Sequence, residues 1–166
     1  MAEAFASREL SDFGLAAVAA RKDVTAGAIG QRLGIELEDR SGLQHGAGTA
    51  LIGTGPGQWL VFVDEADSHW PLRLAEMLCG VASVSDQSSG YVITRLTGKV
   101  APTVLQRGMS IDLDPAMFKP GASAASAIAY IPVHMWRVDD QTFDVAIPRS
   151  YAESFRHWLA AVTAAL

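Results

Sequence analysis

Apolar positions along this chain fall into short runs with two different spacings, and those spacings sort it into strands and helices. Residues 15–20 form an apolar run that predicts a strand, and the four-residue step from Ile29 to Leu33 predicts a helix over 24–33, ended by Gly34. Residues 41–48, with their Gly and Ser, read as a loop. Residues 49–53 and 59–63 bracket the turn Thr54-Gly55-Pro56-Gly57-Gln58 and predict a hairpin. The second helix is written more clearly. Trp70, Leu74, Met77, Leu78 and Val81 recur at steps of three and four, with Ser68 placed to cap the start, Pro71 in the first turn and Gly80 at the end. Residues 81–86 follow as a strand. This is the element order of a ferredoxin-like split βαβ unit, so residues 1–86 are expected to form one ferredoxin-like subdomain.

The second half, 87–166, is expected to be another α+β subdomain with a different order of elements. Residues 91–97 alternate as a strand, and 99–107 read as a short helix with Pro102 in its first turn and Gly108 beyond its end. A connection over 110–121 leads to strand material over 123–138, interrupted by Pro132. The turn Asp139-Asp140-Gln141 then leads to a strand over 142–147, where Phe143, Val145 and Ile147 share a face. After Pro148 comes the closing helix, with Tyr151, Phe155, Trp158, Leu159, Val162 and Leu166 as its apolar stripe. Ser150 and Glu153 have the spacing of a capping box at its start. Strands and helices mix without regular alternation, which places the fold in the α+β class.

Composition adds two exclusions and one ambiguity. A chain of 166 residues buries about 70% of its unfolded surface and needs no disulfide or metal to hold it. Its apolar runs are far shorter than the roughly 20 residues of a membrane helix. The first ten residues carry Glu3, Arg8 and Glu9 where a secretory leader has an apolar centre, so a cytoplasmic protein with no membrane partner is expected. A net charge of −5 without a basic cluster speaks against nucleic acid. Hydrophobic residues make up 49% of the chain and charged ones 19%, below the usual level of about 25%. Two readings remain open: an alanine-rich composition, with 27 Ala, or a surface partly covered by other subunits.

The search for chemistry returns structural readings. The glycine-rich stretch from Gly53 to Gly57 has Gln58 where a dinucleotide fingerprint has its third glycine, and strands flank it on both sides, so a hairpin turn is expected. His45, His69, His134 and His157 are scattered without metal-ligand spacing. Asp112 and Asp114 begin like a calcium loop, but Ala116 and Met117 follow where a ligand and a glycine are needed. Asp139 and Asp140 suit a turn; Asp64, Glu65 and Asp67 suit the positive end of the helix they precede. Cys79 reads as a small buried hydrophobe, and Trp59, Trp70, Trp136 and Trp158 as core or interface residues. No catalytic, cofactor-binding or metal-binding residue is assigned.

A longer pattern nevertheless stands out. Trp59-Leu60-Val61-Phe62, Val84-Ser85-Asp86-Gln87-Ser88, Arg95-Leu96-Thr97-Gly98, Val104-Leu105-Gln106-Arg107-Gly108, Ile111-Asp112-Leu113 and Phe118-Lys119-Pro120-Gly121 occur in order. They are followed by Trp136-Arg137-Val138-Asp139-Asp140, Thr142-Phe143, Arg149-Ser150-Tyr151 and Trp158-Leu159. Together, over about 55–165, they resemble the gamma subunit of heterotetrameric sarcosine oxidase. That family is in turn similar to the folate-binding module of the glycine-cleavage T-protein, through Asp86, Gly98, Leu105, Gly108 and Asp112-Leu113. The chain departs from the T-protein pattern by having Arg149-Ser150 where that family has Asn-Ala. It also lacks that family's glycine-rich acidic strand around 131–136 and the Lys-Gly-Cys motif of related iron-sulfur assembly proteins.

The resemblance implies a scaffold of the T-protein folate-binding type, with the folate chemistry lost. It further implies a non-catalytic structural or assembly subunit, partnered by alpha, beta and delta subunits. The complex oxidises sarcosine to glycine and hydrogen peroxide, the methyl carbon leaving as formaldehyde or methylenetetrahydrofolate. FAD, FMN, NAD, tetrahydrofolate and zinc are then expected on the partner subunits and none on this chain. The alternatives are a folate-binding one-carbon-transfer module and a freestanding ferredoxin-like ligand-binding domain.

Overall fold

The computed structural model describes residues 5–165; Glu3 and Leu166, cited above, lie outside them. The chain runs β1 (Ala6–Glu9), β2 (Gly14–Ala20), α1 (Ala26–Leu33), β3 (Gly42–Gly46), β4 (Thr49–Gly55), β5 (Gln58–Val63), α2 (Trp70–Met77) and β6 (Ala82–Asp86). It continues with β7 (Tyr91–Thr97), α3 (Ala101–Gln106), β8 (Ser123–Ile128), β9 (Ile131–Asp139), β10 (Thr142–Pro148), a 3-10 turn at Arg149–Tyr151 and α4 (Ala152–Thr163). These elements form two compact units, one of residues 11–89 and one of residues 5–10 with 90–165.

The 11–89 unit has the strand order β3-β4-β5-β2-β6, antiparallel throughout. Without β3 this is the ferredoxin-like sheet expected from the sequence. The Gly- and Ser-containing stretch expected to be a loop supplies β3 as an added edge strand. α1 begins at Thr25, whose hydroxyl accepts from the Ala28 N–H at 3.2 Å, and ends where Gly34 turns left-handed at φ 71°. Ile29 of α1 and Leu74 and Leu78 at α2 pack on Val18, Leu51, Trp59 and Val61, which share one face of the sheet. Met77, placed on that stripe by spacing, is exposed. The start of α2 has no side-chain cap at its first residue, and Ser68 contacts the neighbouring His69 ring instead. The unit's two ends are tied together: Ser88 Oγ accepts from the Leu15 N–H at 3.0 Å, and Leu15 O accepts from the Gln87 N–H at 2.8 Å.

The other sheet has the order β1-β7-β10-β9-β8. Two corrections to the sequence reading follow. The boundary does not separate 1–86 from 87–166 along the chain, because β1 pairs with β7 in register Ala6↔Thr97 to Glu9↔Thr94 and so joins the C-terminal sheet. Second, the two halves share one plan instead of having different orders. β7, α3, β8, β9, β10 and α4 match β2, α1, β3, β4, β5 and α2 in order and in sheet position, and β1 stands where β6 stands. The C-terminal core lies between this sheet and its helices: Leu96, Met135, Phe143 and Val145 against Val104 and Leu105 of α3 and Phe155 and Leu159 of α4. Gly108 is there because the Trp158 ring passes within 2.5 Å of where a Cβ would stand. The capping box is not formed. A 3-10 turn occupies 149–151, and α4 starts at Ala152 without a side-chain cap.

The expected stripe of α4 is narrower than its spacing suggested, since Phe155 and Leu159 are buried, Trp158 and Val162 half-buried, and Tyr151 exposed. Phe155→Ala should therefore cost about 3–5 kcal/mol in urea unfolding, as buried aromatic truncations do. Tyr151→Ala should stay within about 0.5 kcal/mol, as for other surface changes. Equal losses for the two would contradict this packing.

Candidate functional site

The structure accounts for the candidate chemical groups one at a time. The glycine-rich stretch is the β4–β5 hairpin with a bulge between Gly53 and Gly55, and its Gly57 N–H donates to the Asp39 carboxylate at 2.9 Å. An acid already holds the N–H that a phosphate would need. Asp112 accepts from the Asp114 N–H, and Asp114 from the Ala116 N–H, so both shape local turns. Asp139 does the same for Gln141. Asp67 accepts the His69 N–H and both Arg73 nitrogens, at 2.8 to 2.9 Å. The Arg73 bonds, then the His69 N–H, push its pKa down to about 2. Cys79 is exposed, a correction to the buried hydrophobe expected from sequence; it lies just past the end of α2, where the chain turns outward. His134 in β9 lies 6.2 Å from the Tyr91 ring, and burial holds its pKa below the usual histidine range.

The polar groups that matter most lie in the C-terminal unit; Arg95 and Arg137 stand within the family pattern, whereas Asp144 carries no motif in the sequence. Asp144 on β10 is fully buried, and its two oxygens each accept from Arg95 on β7 at 2.7 Å. The two residues are direct partners across the strand pair. Arg137 on β9, also buried, donates to the carbonyls of Phe118, Asp139 and Asp140 at 2.6, 3.1 and 2.7 Å. Its guanidinium stacks 5.1 Å from the centre of the Phe143 ring. One side chain thus ties the 110–122 connection to the β9–β10 turn. The available signal was a charged residue between apolar neighbours, as in Phe143-Asp144-Val145.

A cleft of about 370 Å³ opens between β1, β7 and α4, lined by Arg8, Glu9, Thr94, Phe155, Arg156 and Ala160 among others. Arg156 holds Glu9 through two nitrogens and reaches Glu153 at 3.1 Å. The bond from Arg156 lowers the Glu9 pKa, and the Arg156 pKa is raised in turn. The pair braces β1 against α4. Among the described residues, no group of three His, Cys, Asp or Glu side chains is placed to hold a metal ion, and no helix is long and apolar enough to cross a membrane.

The family model for the sarcosine oxidase gamma subunit matches residues 17–165. This chain belongs to the sarcosine oxidase gamma subunit family. The gamma subunit of sarcosine oxidase from Corynebacterium sp. (strain P-1) is 28% identical over 134 residues, and that from Arthrobacter sp. is 31% identical over 134 residues. In both cases the match covers 80% of this chain and 66% of the relative. A chain of the heterotetrameric sarcosine oxidase from Corynebacterium sp. U-96, solved with pyrrole 2-carboxylate, superposes with a TM-score of 0.86 at 25% identity. That match covers 96% of this chain and 84% of the other. The glycine cleavage system aminomethyltransferase T from Bartonella henselae shares the fold at a TM-score of 0.62 and 15% identity, over 93% of this chain and 45% of that one. The α+β class and the T-protein likeness expected from sequence are both found. In this gamma-family chain the residues carrying the T-protein pattern build scaffold. Asp86 holds the Ser88 N–H and hydroxyl, Leu105 and Leu113 are fully buried, and Gly98 turns at φ 113°.

Two outcomes test this account. Asp144→Ala takes away the fully buried carboxylate that half-buried Arg95 bonds and should cost about 3 kcal/mol, whereas Arg95→Met with Asp144→Leu should recover most of the loss, as for other pairs largely shielded from water. A denaturation series on the three variants measures both. For Asp67, the lowered folded-state pKa means that its contribution is complete above the unfolded value, near 3.8, and is lost as the pH falls toward 2. Carboxyl NMR titration should show its midpoint rising toward the ordinary aspartate value in Arg73→Ala.

Proposed function

We propose that this chain is a non-catalytic structural and assembly subunit of a heterotetrameric sarcosine oxidase, working in the cytoplasm beside alpha, beta and delta subunits. The reaction is the oxidative demethylation of sarcosine to glycine, with hydrogen peroxide and formaldehyde or methylenetetrahydrofolate as the other products. FAD, FMN, NAD, tetrahydrofolate and zinc belong to the partner chains in this reading. The carrying observation is the likeness in fold along 96% of this chain to a chain of such a complex.

The side chains support the same division of labour. Asp144, a fully buried carboxylate, gives both its oxygens to Arg95 and so braces the β7–β10 pair. The remaining strong polar groups brace strands, turns and a helix, as a scaffold requires. A partner that binds only the folded assembly stabilises it by mass action.

Co-expression with the other three subunits should give a complex with one copy of this chain. Omitting it should lower the yield or stability of the oxidase while leaving the chemistry of surviving complexes unchanged. The purified chain alone should be colourless, bind no tetrahydrofolate in calorimetry and oxidise no sarcosine. An oxidase that assembles and turns over equally well without it would end the structural reading, and folate binding would favour the one-carbon module.

A further inference from the structure

The shared plan of the two units allows one hairpin to be judged against its counterpart. In each unit the added edge strand turns into its neighbour through a two-residue loop: Ala47-Gly48 between β3 and β4, and Ala129-Tyr130 between β8 and β9. The flanking pairs are Gly46↔Thr49 and Ile128↔Ile131. Both loops hold two residues at positive φ, 49° and 75° in the first and 47° and 68° in the second. This backbone favours Gly, Asn or Asp at its centre. The first loop has Gly48 at the second position, without strain. The second has a tyrosine there, a bulky residue in a conformation that costs energy.

Among the described residues nothing packs on Tyr130 to offset that cost: it is 100% exposed. The tip below it is nevertheless fixed. Ile128 is fully buried, and the Ala129 N–H donates to the Gly108 carbonyl at 2.8 Å. Residues 120–133 contain no charged side chain, and Ala125 and Ala127 are exposed on β8 at the sheet's edge. Edge strands facing water usually carry charge, as the opposite edge, β1, does with Arg8 and Glu9. An aromatic on a rigid, neutral, strained tip has the features of an interface anchor, combining contact area with a phenol and little ordering cost. The lack of cations over 120–133, with a net charge of −5, suits neither nucleic acid nor an anionic membrane.

We propose that the β8–β9 hairpin is a docking anchor, with Tyr130 seated in an uncharged, apolar pocket on another subunit of the oxidase. This rests on the subunit reading above. Because strain and docking pull in opposite directions, the test is a pair of readouts on Tyr130→Gly. The free chain should melt no lower than wild type, while affinity for the co-expressed partner subunits, measured by sedimentation or native mass spectrometry, should fall at least about tenfold, as for an anchor residue. Gly48→Tyr, the reverse change at the counterpart tip, should lower the melting temperature of the free chain; no effect there would remove the strain argument. A Tyr130→Gly complex as tight as wild type would overturn the proposal while leaving the subunit reading intact. Wild-type chain that joins no partner subunit would overturn both. Loss of a self-associated form of this chain, with the heteromeric affinity unchanged, would assign the tip to a second copy and overturn the proposal as well.

Discussion

Asp144 is sealed from water in the middle strand of a five-stranded sheet, and an isolated carboxylate is intolerable there. Arg95 makes it tolerable by meeting both oxygens from the adjacent strand. The geometry admits one register. A one-residue slip of β10 along β7 would turn Asp144 toward the helix-covered face occupied by Phe143 and Val145 and separate it from its partner. Apolar contacts alone are less selective, because valine, isoleucine and phenylalanine tolerate exchange of neighbours. Arg137 carries the same logic outward. Its buried charge is shared among three carbonyls, which fixes the β9–β10 turn and the long connection from α3.

Much of this fold was legible in the sequence because most elements are bounded by residues with one structural use. Gly34 ends α1, Pro56-Gly57 turns the β4–β5 hairpin, and Phe143, Val145 and Ile147 share the inner face of β10. The missed pieces share a different property. β1 is four mostly exposed residues whose partner lies far along the chain, so no local pattern marks it. β3 contains glycines that serve close approach: a Cβ at Gly46 would fall 1.9 Å from Ile35. The β8–β9 turn escaped notice because Ala129 and Tyr130 are the wrong residues for it. The common plan of the halves was hidden because topology is shared while sequence is not.

The site chemistry was legible mainly as exclusions, for a physical reason. Asp112 and Asp114 begin like a ligand loop in sequence, and each accepts a backbone N–H within a short turn, as Asp67 and Asp139 also do. Cys79 was misplaced because its position beside Leu78, near the end that Gly80 marks, does not say which way its side chain faces. Arg95 and Asp144 are far apart in sequence and become partners only when β7 and β10 align. A strand pair of that kind is a tertiary fact, visible in sequence only as two charges in otherwise apolar strands.

The closure of the 11–89 unit through Ser88 and Leu15 changes how the N-terminal strand reaches its place. β1 lies before that unit and β7 after it, so pairing them as a bare chain would mean closing one long loop, slowly and at an entropic cost. Once β2 and β6 are joined, the chain enters and leaves the middle unit at neighbouring strands, held by the Leu15 and Ser88 bonds. The search for β1 by β7 then becomes a short-range one. The middle unit thus acts as a clasp, its closed ends keeping the first strand near the strand it pairs with.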